Sequence, residues 1–203
     1  MGLRERKKAA TTQRILAEAS TMFQEKGYEN IRIEDIAANS DLSVATFYNY
    51  FKSKADILLN SVASESETVL ANAEEIIERP YESAIQAFDS LVRSYFTTSF
   101  SKVPRSLWRI AVSQTMLSPN SEFCLLYVDV DDRLSKQCSR LLRNMQKVGH
   151  IRQDIDPITL GELLFNNINM NFIGYIRSET LSAEDMCDVV NRQSAPLFEA
   201  ISN

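Results

Sequence analysis

A run of short polar and aromatic side chains with basic residues at its end occupies positions 42–58, LSVATFYNYFKSKADIL. Ser43, Val44, Ala45 and Thr46 are short enough to let a helix end approach the edges of base pairs, and Thr46 offers a hydroxyl and a methyl there. Tyr48 and Tyr50 carry hydroxyls that can reach phosphates, Asn49 stands between them, and Lys54 brings a charge to a helix N-terminus already suited to anions. Phe47 and Phe51, at the complementary helical offset, are expected to anchor the segment inside. The chemistry on offer is non-covalent contact with a nucleic acid.

No equally coherent set of residues points to catalysis. The chain has one His, no Gly-rich phosphate loop and no nucleophile beside a base. Cys124, Cys138 and Cys187 lack CxxC or Cys/His spacing, so they read as buried reduced thiols and neither a metal nor a cofactor is expected. A helical small-molecule enzyme carrying a vestigial DNA-binding segment is the competing class, and this inventory disfavours it.

Charge distribution sharpens the reading. The net charge is −5, which alone argues against a nucleic-acid binder. Residues 1–58 nevertheless hold nine Lys/Arg and eight Asp/Glu, and Arg4, Arg6, Lys7, Lys8 and Arg14 face only Glu5 in the first fourteen positions. A basic-tipped N-terminal module joined to an acidic body is the result. No apolar run reaches the length of a secretory signal or a membrane span, so the expected address is the cytoplasm.

The elements that must position these residues are helices. Ile15, Leu16, Ala19, Met22 and Phe23 mark one face of a helix over about 11–26, which Gly27 ends. A second helix is expected over 33–40, a turn at Asp41 and Leu42, and a third helix over 44–50 capped by Ser43. Ser53 caps a long helix over 54–78, stopped by Arg79-Pro80. Five further helices follow at about 81–100, 104–117, 121–148, 157–177 and 183–201, separated by turn chemistry such as Ser-Lys-Val-Pro and Gly149-His150. Asp156 caps the fourth of these, with Pro157 at its first position. Pro196 predicts a kink or early end in the last, and His150 is expected exposed and inert. The fold class is all-α: a three-helix helix-turn-helix module at 1–53 and a helical domain at 54–203. The helix at 157–177 is apolar on several sides, which suggests one face for its own core and another for a second copy, paired through the last two helices.

The order of these features resembles the TetR family of bacterial transcriptional regulators. The resemblance is carried by FQEKGY at 23–28, IEDIA at 33–37, LSVATFYNYF at 42–51, KSK at 52–54 and Leu58, and it covers about residues 11–60. Asp41 replaces the family's usual turn glycine, which aspartate tolerates. Arg32 replaces the usual Ser or Thr cap and is assigned instead to a phosphate. The resemblance implies a homodimeric repressor on a palindromic double-stranded operator, released by a small-molecule effector through a shift between two dimer states. An activator or partner-binding regulator of the same fold is the alternative. The effector site is expected in the body, lined by Tyr95, Phe100, Trp108, Tyr127, Asn167, Asn171 and Phe172, and suited to an apolar or aromatic molecule with one or two polar groups.

Overall fold

The computed structural model describes residues 2–100 and 102–203; Met1, and Ser101 at the head of the expected Ser-Lys-Val-Pro break, lie outside them. Among the described residues the chain forms α1 (Leu3–Lys26), a 3-10 turn at Tyr28–Asn30, α2 (Ile33–Asn39), α3 (Val44–Phe47), α4 (Lys54–Ile77), α5 (Ala84–Ser99), α6 (Arg105–Leu117), α7 (Glu122–Lys147), α8 (Pro157–Arg177) and α9 (Ala183–Ile201). No helix is long and apolar enough to cross a membrane. The all-α expectation holds.

Local chemistry explains most boundaries. Gly27 adopts a positive φ of 79° and its N–H bonds Phe23 O, ending α1. Asp41 takes the left-handed region at φ 53° in place of a glycine. Ser43, Ser53, Ser83, Ser121 and Ser182 each accept a backbone N–H from the third residue of the helix they cap, and Asp156 caps α8 through Ile158 and Thr159 N–H.

Three expectations are corrected. Helix α1 begins at Leu3 rather than near Thr11, so the basic residues 4–8 are helical; Glu5 accepts from Gly2 N–H at 2.7 Å and secures that end. Helix α3 is shorter than expected, because the chain tightens after Phe47 into i→i+3 bonds, Asn49 N–H to Thr46 O and Tyr50 N–H to Phe47 O. Helix α9 does not end at Pro196. It continues to Ile201, with Phe198 and Ile201 buried beyond the proline and Ile201 O accepting from Arg152 N–H.

One apolar core runs from Ile15 on α1 to Ile201 on α9. Helix α4 connects its two ends, packing on α1 and also on α5, α6 and α7. Helices α7 and α8 are the most closely paired. A Cβ on Gly161 would lie 2.6–2.7 Å from the backbone of Ser139, so only glycine allows their approach there. Arg105 and Arg109 tie α6 to the end of α8: Arg105 stacks 3.9 Å from the Tyr175 ring centroid, and Arg109 Nε donates to Ile176 O at 2.8 Å.

Candidate functional site

Two sites emerge, one on the surface of the helical head and one inside the body. On the head, Ser43 Oγ accepts from Thr46 N–H at 3.1 Å and pairs with Thr46 Oγ1 at 2.8 Å. These bonds fix the short α3 that packing must otherwise hold. Phe47 and Phe51 are buried, as their offset requires, with ring centroids 6.1 Å apart. Ser43, Ala45, Tyr48 and Asn49 are exposed, and Val44, Thr46 and Tyr50 are half-buried. Tyr48 is 51% exposed, which suits a phosphate contact and not a core role.

The structure adds a wall the sequence had only hinted at. Leu3, Arg4, Lys7, Lys8 and Thr11 of α1 line an open cleft together with Thr46, Asn49 and Tyr50. The signal for these residues was the local charge excess, but the helical phase that aims them at α3 required α1 to start early.

Of two further expected contacts, Arg32 is at the surface and Lys54 is turned inward. Arg32 is exposed at the start of α2 and its side chain makes no cap, while Asp35 Oδ2 accepts from Arg32 N–H at 3.1 Å. Lys54, expected to meet a phosphate, directs its ammonium inward to Tyr28 O at 2.6 Å and Ile31 O at 3.2 Å, and lies 4.4 Å from the Tyr28 ring centroid. It clamps the link between α1 and α2. Burial, followed by the Glu29 charge, raises the Tyr28 phenol, which stays neutral under the lysine.

Inside the body, a cavity of about 60 Å³ lies between α4, α5, α6, α7 and α8. One water needs roughly 15 Å³ on this measure, so the space admits a compact small molecule. Tyr95, Trp108, Tyr127 and Phe172 line it as expected. Phe100 does not; it stands behind Phe172, stacked at 5.7 Å. Asn167 and Asn171 are also turned away, toward α9: Asn167 Nδ2 donates to Ser194 Oγ at 3.3 Å, and Asn171 Nδ2 to Gln193 Oε1 at 2.9 Å. The polar groups that do line the cavity include Asp131 and Asn169, with Asn169 Nδ2 donating to Asp131 Oδ2 at 3.4 Å. Burial pushes the Asp131 carboxyl up to about 7, against a smaller opposite effect of Asn169. Tyr127 is raised by burial and then by the Asp131 charge.

The cavity wall is joined to the head. Trp108 Nε1 donates to Ser99 O at 2.5 Å where α5 ends. In the segment that follows, Lys102 and Val103 N–H donate to Glu65 of α4 at 2.7 and 2.9 Å. Lys102 O accepts from Ser20 Oγ of α1 at 2.6 Å and from Gln24 Nε2 at 3.2 Å. The segment 102–103 thus touches α1 and α4, and α4 brings Ser66, next to Glu65, to the cavity wall.

All three cysteines are buried, and burial raises the Cys138 thiol to about 12 and the Cys187 thiol to about 11. His150 is half-buried rather than exposed, with Nε2 2.9 Å from Tyr81 O. Among the described residues no group of three or more His, Cys, Asp or Glu is arranged to hold a metal.

Comparison with known proteins agrees with the head and with the helical layout. Residues 15–60 match the family described as bacterial regulatory proteins, tetR family. The HTH-type transcriptional regulator TcmR of Streptomyces glaucescens is 31% identical over 93 residues, a stretch that spans 46% of this chain and only 40% of that regulator. UidR of Escherichia coli K12 is 23% identical over 175 residues, covering 86% of this chain and 85% of UidR. A transcriptional regulator from Saccharomonospora viridis, solved in complex with choline, superposes with a TM-score of 0.73 at 25% identity over 96% of this chain and 99% of its own. Residues 15–60 thus carry the helix-turn-helix of the tetR family of bacterial regulatory proteins, and the helical layout of the whole chain follows that of the Saccharomonospora viridis regulator.

Proposed function

We propose that the protein is a homodimeric repressor that reads a palindromic operator through residues 1–53 and is released by a small molecule bound in residues 54–203. The observation that carries the reading is the shared cleft of α1 and α3, which sets Arg4, Lys7 and Lys8 beside Thr46, Asn49 and Tyr50. Cationic side chains there neutralise phosphates while α3 meets base edges, and Tyr48 and Arg32 extend the contact along the backbone. The segment 102–103 supports coupling, because it ties α1 to Glu65 of α4, next to Ser66 in the cavity wall. The choline held by the Saccharomonospora viridis relative supports an effector of small size. Dimerisation is supported by the outward face of α8, where Leu163 is 56% and Met170 70% exposed.

Mobility shift on palindromic DNA near the protein's own gene tests the reading. Tyr48→Ala is expected to weaken binding about tenfold, and Lys7→Ala to lower the slope of log affinity against log salt by about 0.9. Absence of any binding to genomic fragments at low salt would sink the proposal. Light scattering tests the dimer, which Leu163→Glu together with Met170→Glu is expected to dissociate.

A further inference from the structure

The cavity contains one group that its apolar walls do not explain. Rings of Tyr95, Phe96, Trp108, Tyr127, Phe165 and Phe172 surround it, and α7 brings the carboxylate of Asp131 among them. The hydrogen bond that Asp131 receives from Asn169 spans 3.4 Å, near the long limit for such a bond. Three neighbouring donors are engaged elsewhere: the Tyr95 hydroxyl with Gln137, the Trp108 N–H with Ser99 O, and the Ser99 hydroxyl with Tyr95 O. No Lys, Arg or His lines the cavity among the described residues. A half-buried carboxylate on an apolar wall without a cation beside it is costly, and it persists where something else makes use of it.

We propose that the cavity recognises a small tertiary or quaternary ammonium ion, with Asp131 as counter-charge and the rings of Trp108, Tyr127 and Phe172 as an aromatic cage. The proposal rests on the reading of the cavity as the effector site. Ring faces attract ammonium groups, and a low-dielectric wall strengthens the pairing with Asp131. An anion would meet the Asp131 charge and no cationic side chain. A primary ammonium would need acceptors for three N–H groups, whereas an alkylated one needs few or none. The volume of about 60 Å³ suits a compact head and not a long chain.

Binding is expected to depend on pH through Asp131, whose carboxyl titrates near 7. Tyr95 from α5 and Tyr127 from α7 are the other titratable lining groups, and both phenols are pushed above their ordinary range. The walls from α4, α6 and α8 bring Ser66, Trp108 and Asn169, which carry no charge. The Glu74–Arg140 ion pair lies behind Tyr95. Cation affinity therefore rises as the pH passes from about 6 to about 8.

Calorimetric titration of the full-length protein tests the assignment, with tetramethylammonium, choline and 3,3-dimethylbutan-1-ol, the neutral carbon analogue of choline. At pH 8 the cations are expected to bind about tenfold or more tighter than the alcohol. Asp131→Asn should lose that preference while retaining the wild-type circular dichroism and its weak affinity for the alcohol. Equal binding of choline and the alcohol, unchanged cation affinity in Asp131→Asn, or no binding of either cation at roughly 10 mM overturns the proposal. Operator release is followed in parallel. Release by a neutral or anionic compound, with no response to cations, defeats the cation assignment and leaves the effector reading standing. Cation binding that needs Asp131 but leaves operator affinity unchanged supports the assignment and defeats that reading.

Discussion

Two carboxylates on neighbouring helices of the body, one buried and one half-buried, are matched in opposite ways. Glu65 on α4 is 1% exposed and accepts Lys102 N–H and Val103 N–H at 2.7 and 2.9 Å. Asp131 on α7 borders the cavity and receives an amide at 3.4 Å. The first is matched by backbone donors that hold a connecting segment in place. The second is matched by little that the protomer itself supplies. Burial of a charge is thus a structural device at one position and a binding device at the other, and the difference lies in the donors within reach.

The largest expected effect breaks the satisfied side of the comparison. Glu65→Leu leaves two backbone N–H groups without their acceptor, at a cost of about 3–5 kcal/mol. For a chain of this size that lowers the melting temperature by about 10 °C. Glu65→Gln keeps an acceptor oxygen and should lose about half as much. Thermal melts of both variants check the order, and equal melting of Glu65→Leu and wild type would remove Glu65 from this role.

The next effect has the opposite sign. Burial raises Asp131 from 3.8 to about 7, so its favourable contribution is fully present below about pH 4 and is lost as the pH rises through 7. Above pH 7 the ligand-free protein carries a penalty of about 2 kcal/mol, after allowance for the partial exposure of the group. Asp131→Asn removes the charge. It is expected to melt about 5 °C above wild type at pH 8, with the gap closing as the pH falls toward 4. A variant that melts lower than wild type at every pH would show that Asp131 is a satisfied core residue.

Much of the fold was legible because it depends on near neighbours in the chain. Ser43, Ser53 and Asp156 announced their helix starts, and α8 has the bounds its flanking Asp156-Pro157 and Ser178 implied. The burial of Phe47 and Phe51 beside an exposed Tyr48 followed from helical phase. The cavity was less legible because its polar groups meet across helices. Asp131 and Asn169 are 38 residues apart, and neither forms a motif with its neighbours. Asn167 and Asn171 are one turn apart on a largely apolar helix, but α8 is covered on several sides, and their side faces α9. Asn169, two residues along, is turned by about 200° and reaches the cavity. Lys54 departs from expectation for a related reason: its helix-terminal position suits an anion, while the carbonyls it bonds belong to residues 28 and 31.

The smallest expected effect tests whether the Glu65 side of the comparison does more than hold the chain. Lys102 is gripped at both ends, its N–H by Glu65 of α4 and its carbonyl by Ser20 of α1. Ser20→Ala removes one bond at a half-exposed position while Gln24 still reaches the same carbonyl, so stability should fall by no more than about 1 kcal/mol. Combining Ser20→Ala with Glu65→Gln closes a double-mutant cycle around one residue. If the two grips act together, the combined loss departs from the sum of the single losses by about 0.5 kcal/mol or more. The same variants then separate holding from signalling. A segment that only holds α1 and α4 gives Ser20→Ala an unchanged effector concentration for operator release. A segment that carries the cavity's state to the head shifts that concentration while operator affinity without effector stays at the wild-type value, because Ser20 lies outside the α1–α3 cleft.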